Sequence, residues 1–133
     1  VGRTIGGHEP VDWDHVEAIA LIGTHIGEDA RNTTMQDFSS ARARGADVVV
    51  VDPRQSTAAS KADLWLPIKP GTDTALLLAW ANVLITEGLH DSAYLSAHAS
   101  GLDELAAHVA PMTPEWAAPI TDLDAGLIRE SAR

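Results

Sequence analysis

The sequence predicts an α/β fold, a parallel sheet flanked by helices and followed by a short helical segment, and three observations carry that reading. A run of β-branched apolar residues, Val48-Val49-Val50-Val51, stops on Asp52-Pro53-Arg54. This is how a buried parallel strand delivers polar groups at its carboxyl end, where open α/β sheets bind ligands. A shorter apolar run and a capped amphipathic helix precede it, and the longest apolar helix pattern of the chain follows a Pro70-Gly71-Thr72-Asp73 turn.

Taken in order, residues 1 to 12 hold Gly2, Gly6, Gly7 and Pro10 and read as loop, with a short turn at Trp13-Asp14-His15. Val16 to Ile22 is bounded by Gly23 and is short enough to favour a strand over a helix. After a polar loop from Gly23 to Asn32, Thr33 and Gln36 offer a capping box for a helix from about Thr34 to Arg44. Met35, Phe38 and Ala41 face inward in that helix, Gln36, Asp37, Arg42 and Arg44 face solvent, and Gly45 closes it. The second strand is Asp47 to Val51, so residues 16 to 52 form one right-handed βαβ unit.

Gln55 to Ala62 is too short for a crossover helix and holds one helical turn. Leu64 to Ile68 resembles a third strand whose end is broken by Pro67. Thr72 or Asp73 caps a helix from Thr74 to Glu87 that is apolar on nearly all faces, is stopped by Gly88 and is expected to be buried on both sides. Asp91 caps Ser92 to His98, a capping box at Ser100 to Asp103 starts Leu102 to Val109, Thr113-Pro114 starts a brief turn, and a last helix follows Asp122. Trp80 and Trp116 are expected in the core.

Composition sets bounds on function. The chain of 133 residues is 45% hydrophobic, about one domain long and able to bury a core. A formal charge of −10 argues against a phosphate backbone or an anionic membrane surface as main partner. Six of the nine basic residues lie between Arg31 and Lys69, so a small anion can still be held locally. With no cysteine, these residues form no disulfide, thiolate zinc site or cysteine-ligated cluster. No apolar run reaches membrane-spanning length, and both ends read as cuts through something longer.

The polar turns are where chemistry can live. A carboxylate at a strand end can accept two N–H bonds from a flat base edge such as that of guanine, and the adjacent Arg54 can hold a phosphate with its planar fork. Asp52-Pro53-Arg54 can equally be a plain turn, because Asp before Pro favours a bend. Asp73, likewise, is a helix cap or a ligand group, and the two roles compete for the same oxygens. The loop at Gly23-Thr24-His25 permits close backbone approach to a pyrophosphate but lacks the Gly-x-Gly-x-x-Gly pattern of nicotinamide dinucleotide sites. The six histidines show no metal-ligand spacing, and Ser56, Thr57 and Ser60 lack a nucleophile-elbow pattern. The residues thus offer neither a catalytic group nor a metal site.

Together these motifs are similar to those of a known family. Leu21 to His25, Ala41 to Arg54, Thr57 to Asp73, Ala75 to Leu77 and Glu87 to Asp91 resemble the large catalytic subunit of the molybdopterin oxidoreductases of the dimethyl sulfoxide reductase family. The run from Gly23 to Asn32 is most similar to the thiosulfate, polysulfide and tetrathionate reductase branch. The resemblance implies a Rossmann-like domain, residues 1–133, with an α/β core over 1–90 and a helical extension over 91–133, inside a larger multidomain subunit. It implies that Gly23, Thr24 and His25 line a molybdopterin guanine dinucleotide, that Asp52, Pro53 and Arg54 meet its nucleoside and phosphate, and that Gly71 and Asp73 complete a guanine pocket. Many relatives carry Asn where this chain has His25.

By the same resemblance the full-length protein is a molybdenum oxidoreductase of anaerobic respiration with a bis(molybdopterin guanine dinucleotide) centre. It acts by two-electron transfer on a small oxyanion, a sulfur compound in the branch named. The metal ligand and a 4Fe-4S cluster are expected upstream, and the fragment alone is expected to be inactive. Implied partners are an iron–sulfur electron-transfer subunit and a membrane anchor subunit, with no nucleic acid and no direct membrane insertion, in the prokaryotic periplasm or cytoplasm. Two other readings stand beside it: an α/β nucleotide-binding or regulatory module without redox activity, and a structural domain whose polar turns only cap helices.

Overall fold

The computed structural model describes residues 11–24, 26 and 32–133, with the side chains of the first helix described from residue 34 on. The loop expected before residue 11, most of the loop after Thr24, and the capping side chain of Thr33 lie outside the described residues.

Three parallel strands, β1 (Ala18–Ile22), β2 (Asp47–Val51) and β3 (Leu64–Leu66), pair in the order β1-β2-β3. Their register aligns Ala18 with Asp47 and Ile22 with Val51, then Val49 with Leu64 and Val51 with Leu66. The α/β class with a parallel sheet is as expected. β3 stops at Leu66 and not at Ile68: Pro67 has no N–H for the ladder, and the Ile68 amide turns back to the Leu66 carbonyl at 2.8 Å.

Because side chains alternate along each strand, the sheet divides the core into two clusters. On one face Ile19, Leu21, Val48 and Val50 pack under Phe38 and Ala41 of α1 (Asn32–Ala43), with Ala58 and Ala59 beside them. Met35 packs at the edge of this cluster, so the inward face of α1 is the expected one. Gly45 follows with φ of 102°, the left-handed residue that ends the helix. The β2 to β3 connection is a single 3₁₀ turn, Ala59–Lys61, anchored by the buried Ser56, whose Oγ accepts from the Ala59 amide at 3.2 Å.

On the other face Val51, Leu66 and Ile68 meet α2 (Asp73–Thr86) through Leu76 and Ala79. The same cluster includes Ala117 of α5 (Pro114–Thr121), Leu123, and Ile128 of α6 (Ala125–Ala132). The C-terminal helices therefore cover the sheet. Between them and α2 lie α3 (Ser92–His98), capped by Asp91 as expected, and α4 (Leu102–Val109). α4 starts from Gly101 at φ 85° with no side-chain cap, so the Ser100 capping box does not form. Thr113-Pro114 opens an eight-residue helix where a brief turn was expected, with Thr113 Oγ1 accepting from the Trp116 amide at 3.3 Å. Asp124 caps α6, its Oδ1 accepting from Leu127 N at 3.1 Å.

The apolar pattern of α2 calls for more protein around it than these residues supply, and within this chain only one side is covered. Ala75, Leu76, Ala79, Asn82 and Val83 are buried, but Leu77 and Leu84 are 44% and 37% exposed. Helices α4, α5 and α6 pack against one side, and no described residue covers the other pair. Buried Asn82 has a partner that sequence patterning does not show: its Nδ2 donates to the Val109 carbonyl at 2.9 Å, satisfying the end of α4. Trp80 is half-buried and donates to Ser131 Oγ at 2.9 Å, whereas Trp116 is 37% exposed and is not a core residue.

Candidate functional site

In-register parallel strands end together, so Gly23, Asp52 and Pro67 leave the sheet side by side. The Gly23 amide donates to the Val51 carbonyl at 3.0 Å, and the Asp52 amide donates to the Leu66 carbonyl at 3.2 Å. Gly23 has φ of 59° and open space where a Cβ would stand, so backbone conformation and not crowding favours glycine there. Thr24 is exposed next to it, and His25 lies outside the described residues.

Asp52 is 3% exposed, an unusual setting for a carboxylate. Its Oδ1 accepts from the Arg54 amide at 2.8 Å, closing a tight turn around Pro53, and its carbonyl accepts from the Trp65 indole at 2.8 Å. The turn role is thus realised. A carboxylate offers acceptor positions on two oxygens, so this bond does not exhaust it. Pro53 and Arg54 are exposed beyond the turn. Trp65 escaped the sequence reading as a site residue; the available signal was an indole N–H in a strand, which needs a partner when buried.

Gly71 stands in the loop from β3 to α2 with φ of 81°. Thr72 occupies the N-cap position without capping, because its Oγ1 turns back to donate to the Lys69 carbonyl at 2.6 Å. Asp73 is the first residue of α2 and partly buried, in the place where a carboxylate faces the positive helix end. The expectation of a side-chain cap from Thr72 or Asp73 is therefore not met.

The structure brings Gly23, Thr24 and the Asp52-Pro53-Arg54 turn together on neighbouring strand ends, with Gly71 and Asp73 on the connection that leaves β3. Two cavities lie elsewhere. One of about 330 Å³ is lined at the amino end of the sheet by Ala18, Asp47, Leu64 and the last turn of α6. The other, of about 540 Å³, lies between α1 and the 3₁₀ turn beside Phe38, Arg42 and Lys61. The chemistry of the carboxyl edge marks it out: a cation, two carboxylates and glycine-permitted backbone turns are the partners a nucleotide's phosphates and base edge require. Among the described residues no group of three metal-ligating side chains comes together.

Such an arrangement defines an α/β unit whose polar turns gather at the carboxyl edge of a parallel sheet. The chain belongs to the molybdopterin oxidoreductase family, whose model matches residues 2–128. It is 36% identical over 124 residues to the thiosulfate reductase molybdopterin-containing subunit of Salmonella typhimurium, covering 93% of this chain and 16% of that protein. It is 37% identical over 144 residues to a nitrate reductase of Symbiobacterium thermophilum, covering 98% and 19%. The solved structure of acetylene hydratase from Pelobacter acetylenicus superposes with a TM-score of 0.87 at 34% identity, covering 91% of this chain and 17% of that one. The chain thus spans less than a fifth of the length of these relatives. Family membership implies a molybdenum–molybdopterin cofactor.

Proposed function

We propose that this chain is the part of a molybdenum oxidoreductase that grips the guanosine and phosphate end of one of two molybdopterin guanine dinucleotides. The observation that carries this is the end of β2, where the Asp52 carboxylate is held in a closed turn with Arg54 beside it, pinned by Trp65. Asp52 and Asp73 accept from the guanine edge, Arg54 meets phosphate, and Gly23, Thr24, His25, Pro53 and Gly71 shape the surface along which the dinucleotide lies. When bound, the molybdenum centre supplies the two-electron chemistry, and these residues bind and orient it. Relatives named for a thiosulfate reductase, a nitrate reductase and an acetylene hydratase share this segment, which supports a cofactor role over a substrate role.

The full-length protein, on this reading, reduces or oxidises a small oxyanion, with a sulfur compound favoured by the match to thiosulfate reductase. A 4Fe-4S cluster elsewhere in the subunit, an iron–sulfur electron-transfer subunit and a membrane anchor subunit complete the electron path. Residues 1–133 act as one cofactor-binding domain, since Ala117, Leu123 and Ile128 from the helices after residue 90 share a core with Val51 and Leu66.

The test is Asp52→Asn beside Asp52→Ala in the full-length protein, with molybdenum and guanine measured per folded subunit. Asparagine keeps an oxygen for the Arg54 amide but loses the charge and half the acceptor capacity. Loss of both molybdenum and guanine in each variant is expected. Full cofactor content in Asp52→Asn would reduce Asp52 to a turn residue.

A further inference from the structure

Two basic side chains line an apolar hollow on the α1 face of the sheet. The cavity of about 540 Å³ between α1 and the 3₁₀ turn has Met35 and Phe38 in its lining, with Ser39 and Arg42 also from α1, and Thr57 and Lys61 from the segment that follows the Asp52 turn. Both cations belong to the stretch from Arg31 to Lys69 that holds six of the nine basic residues of an otherwise acidic chain. Neither has a part in the grip on the dinucleotide.

The positive charge on this wall is only partly compensated. Arg42 Nη2 donates to Asp63 Oδ1 at a long 3.3 Å, while the other Asp63 oxygen accepts from the Val48 amide at 2.8 Å. Arg42 Nη1 is buried and meets no acceptor among the described residues, a state that polar groups in folded proteins rarely keep. The ion pairs of the described residues do not include Lys61. The last carbonyls of α1 do not draw on either cation, because those of Ser40, Ala41 and Arg42 accept from the amides of Arg44, Ala46 and Gly45.

We propose that this cavity binds a small organic anion, an oxyanion head such as a carboxylate on a short apolar body. The head lies against Arg42 and Lys61, where a planar guanidinium suits a carboxylate and an ammonium adds a point charge. The body covers Met35 and Phe38, apolar surface that an inorganic anion would leave wet. Mixed lining of this kind, apolar with a few placed polar groups, and a volume of this size are those of small-molecule sites. The site is independent of the guanine reading, because none of its residues is assigned to the dinucleotide.

The experiment is a calorimetric titration of hexanoate into the full-length, cofactor-loaded subunit, with inorganic phosphate in parallel. Saturable binding of hexanoate is expected, about 10-fold or more tighter than phosphate. Lys61 is exposed, so Lys61→Gln keeps the fold, and it should weaken hexanoate by about 10-fold. Ala43 is an exposed part of the lining at the end of α1, and Ala43→Leu should abolish binding by filling the cavity without touching a charge. Absence of saturable hexanoate binding in the millimolar range overturns the proposal, as when an acidic side chain from the rest of the subunit already fills the cavity. Binding that survives either variant unchanged overturns it too, because hexanoate then sits elsewhere, and phosphate binding as tightly as hexanoate removes the apolar half of the site. Molybdenum and guanine content should be unchanged in Lys61→Gln, so this outcome and that of the Asp52 variants are read separately.

Discussion

The indole N–H of Trp65, in β3, donates to the main-chain carbonyl of Asp52, just past the end of β2, at 2.8 Å. The bond ties the third strand to the turn that carries both the buried carboxylate and Arg54, in addition to the Asp52 amide that meets the Leu66 carbonyl. A polar turn is therefore tied by two bonds to its neighbouring strand.

Trp65→Phe should retain most of the packing and remove the bond. A loss of about 1 kcal/mol in local stability is expected, read from exchange of the β2 and β3 amides. In the full-length protein guanine retention should fall as well. An unchanged cofactor content with lowered stability would show that the bond serves the fold alone.

Leu76 is 1% exposed and joins α2 to the β2 and β3 face of the sheet. Leu76→Ala should cost about 2–5 kcal/mol, through lost burial and the cavity left behind. Leu77 next to it is 44% exposed, and Leu77→Ala should stay within about 0.5 kcal/mol wherever the rest of the subunit leaves that side open. Parallel exchange measurements on the two variants decide whether another part of the subunit buries Leu77: a large cost at both positions means it does.

Gly71 has φ of 81° with nothing within 4 Å of the place a Cβ would take, so its cost on substitution comes from backbone conformation. Gly71→Ala should destabilise by about 1–2 kcal/mol, and Gly71→Asn by less, because Asn tolerates the left-handed region. Equal effects of the two in thermal unfolding would point to a ligand contact or to a neighbour supplied elsewhere in the subunit.

Acid should loosen the helical side first. Arg129 Nη2 donates to Glu115 Oε1 at 2.7 Å, and this bond, followed by bonds from the Glu115 amide and Thr113, brings the Glu115 carboxyl down from 4.5 to about 2. Arg133 grips Glu87 with two nitrogens at 2.8 and 2.9 Å, lowering the Glu87 carboxyl as well. A carboxyl whose pKa is lower in the folded than in the unfolded chain contributes stability above its unfolded value, and loses it as pH falls through the folded one. For Glu115 that window runs from 4.5 down to about 2. Glu115→Gln should flatten the acid limb of a stability–pH curve in that window, and salt should weaken the effect because the pair is exposed.

Much of this fold was legible in local pattern. The tetravaline run is a strand with the expected limits, Asp91 caps the helix expected of it, and Thr113 holds the N-cap place expected of it although a helix and not a brief turn follows, because strand burial and capping depend on near neighbours in sequence. The limits of β3 and the missing box at Ser100 differ because a proline and a left-handed glycine settle them through backbone geometry. The polar groups of the candidate site were visible as motifs. The turn that Asp52 closes with the Arg54 amide is local and was legible as Asp before Pro, but that Asp52 is nearly sealed and its carbonyl gripped by Trp65 was not visible, since those partners meet only once β2 and β3 lie side by side.

The sequence by itself determined which segments become strands and helices and which residue types stand at their ends. Those are local properties of periodicity, propensity and turn chemistry. Only the tertiary structure decided that Asp52 faces inward with Arg54 exposed, that α5 and α6 complete the second core, and that among the described residues β1 pairs with β2 alone. Burial and pairing depend on which distant segments share a surface, and no single stretch of sequence contains both sides of that contact.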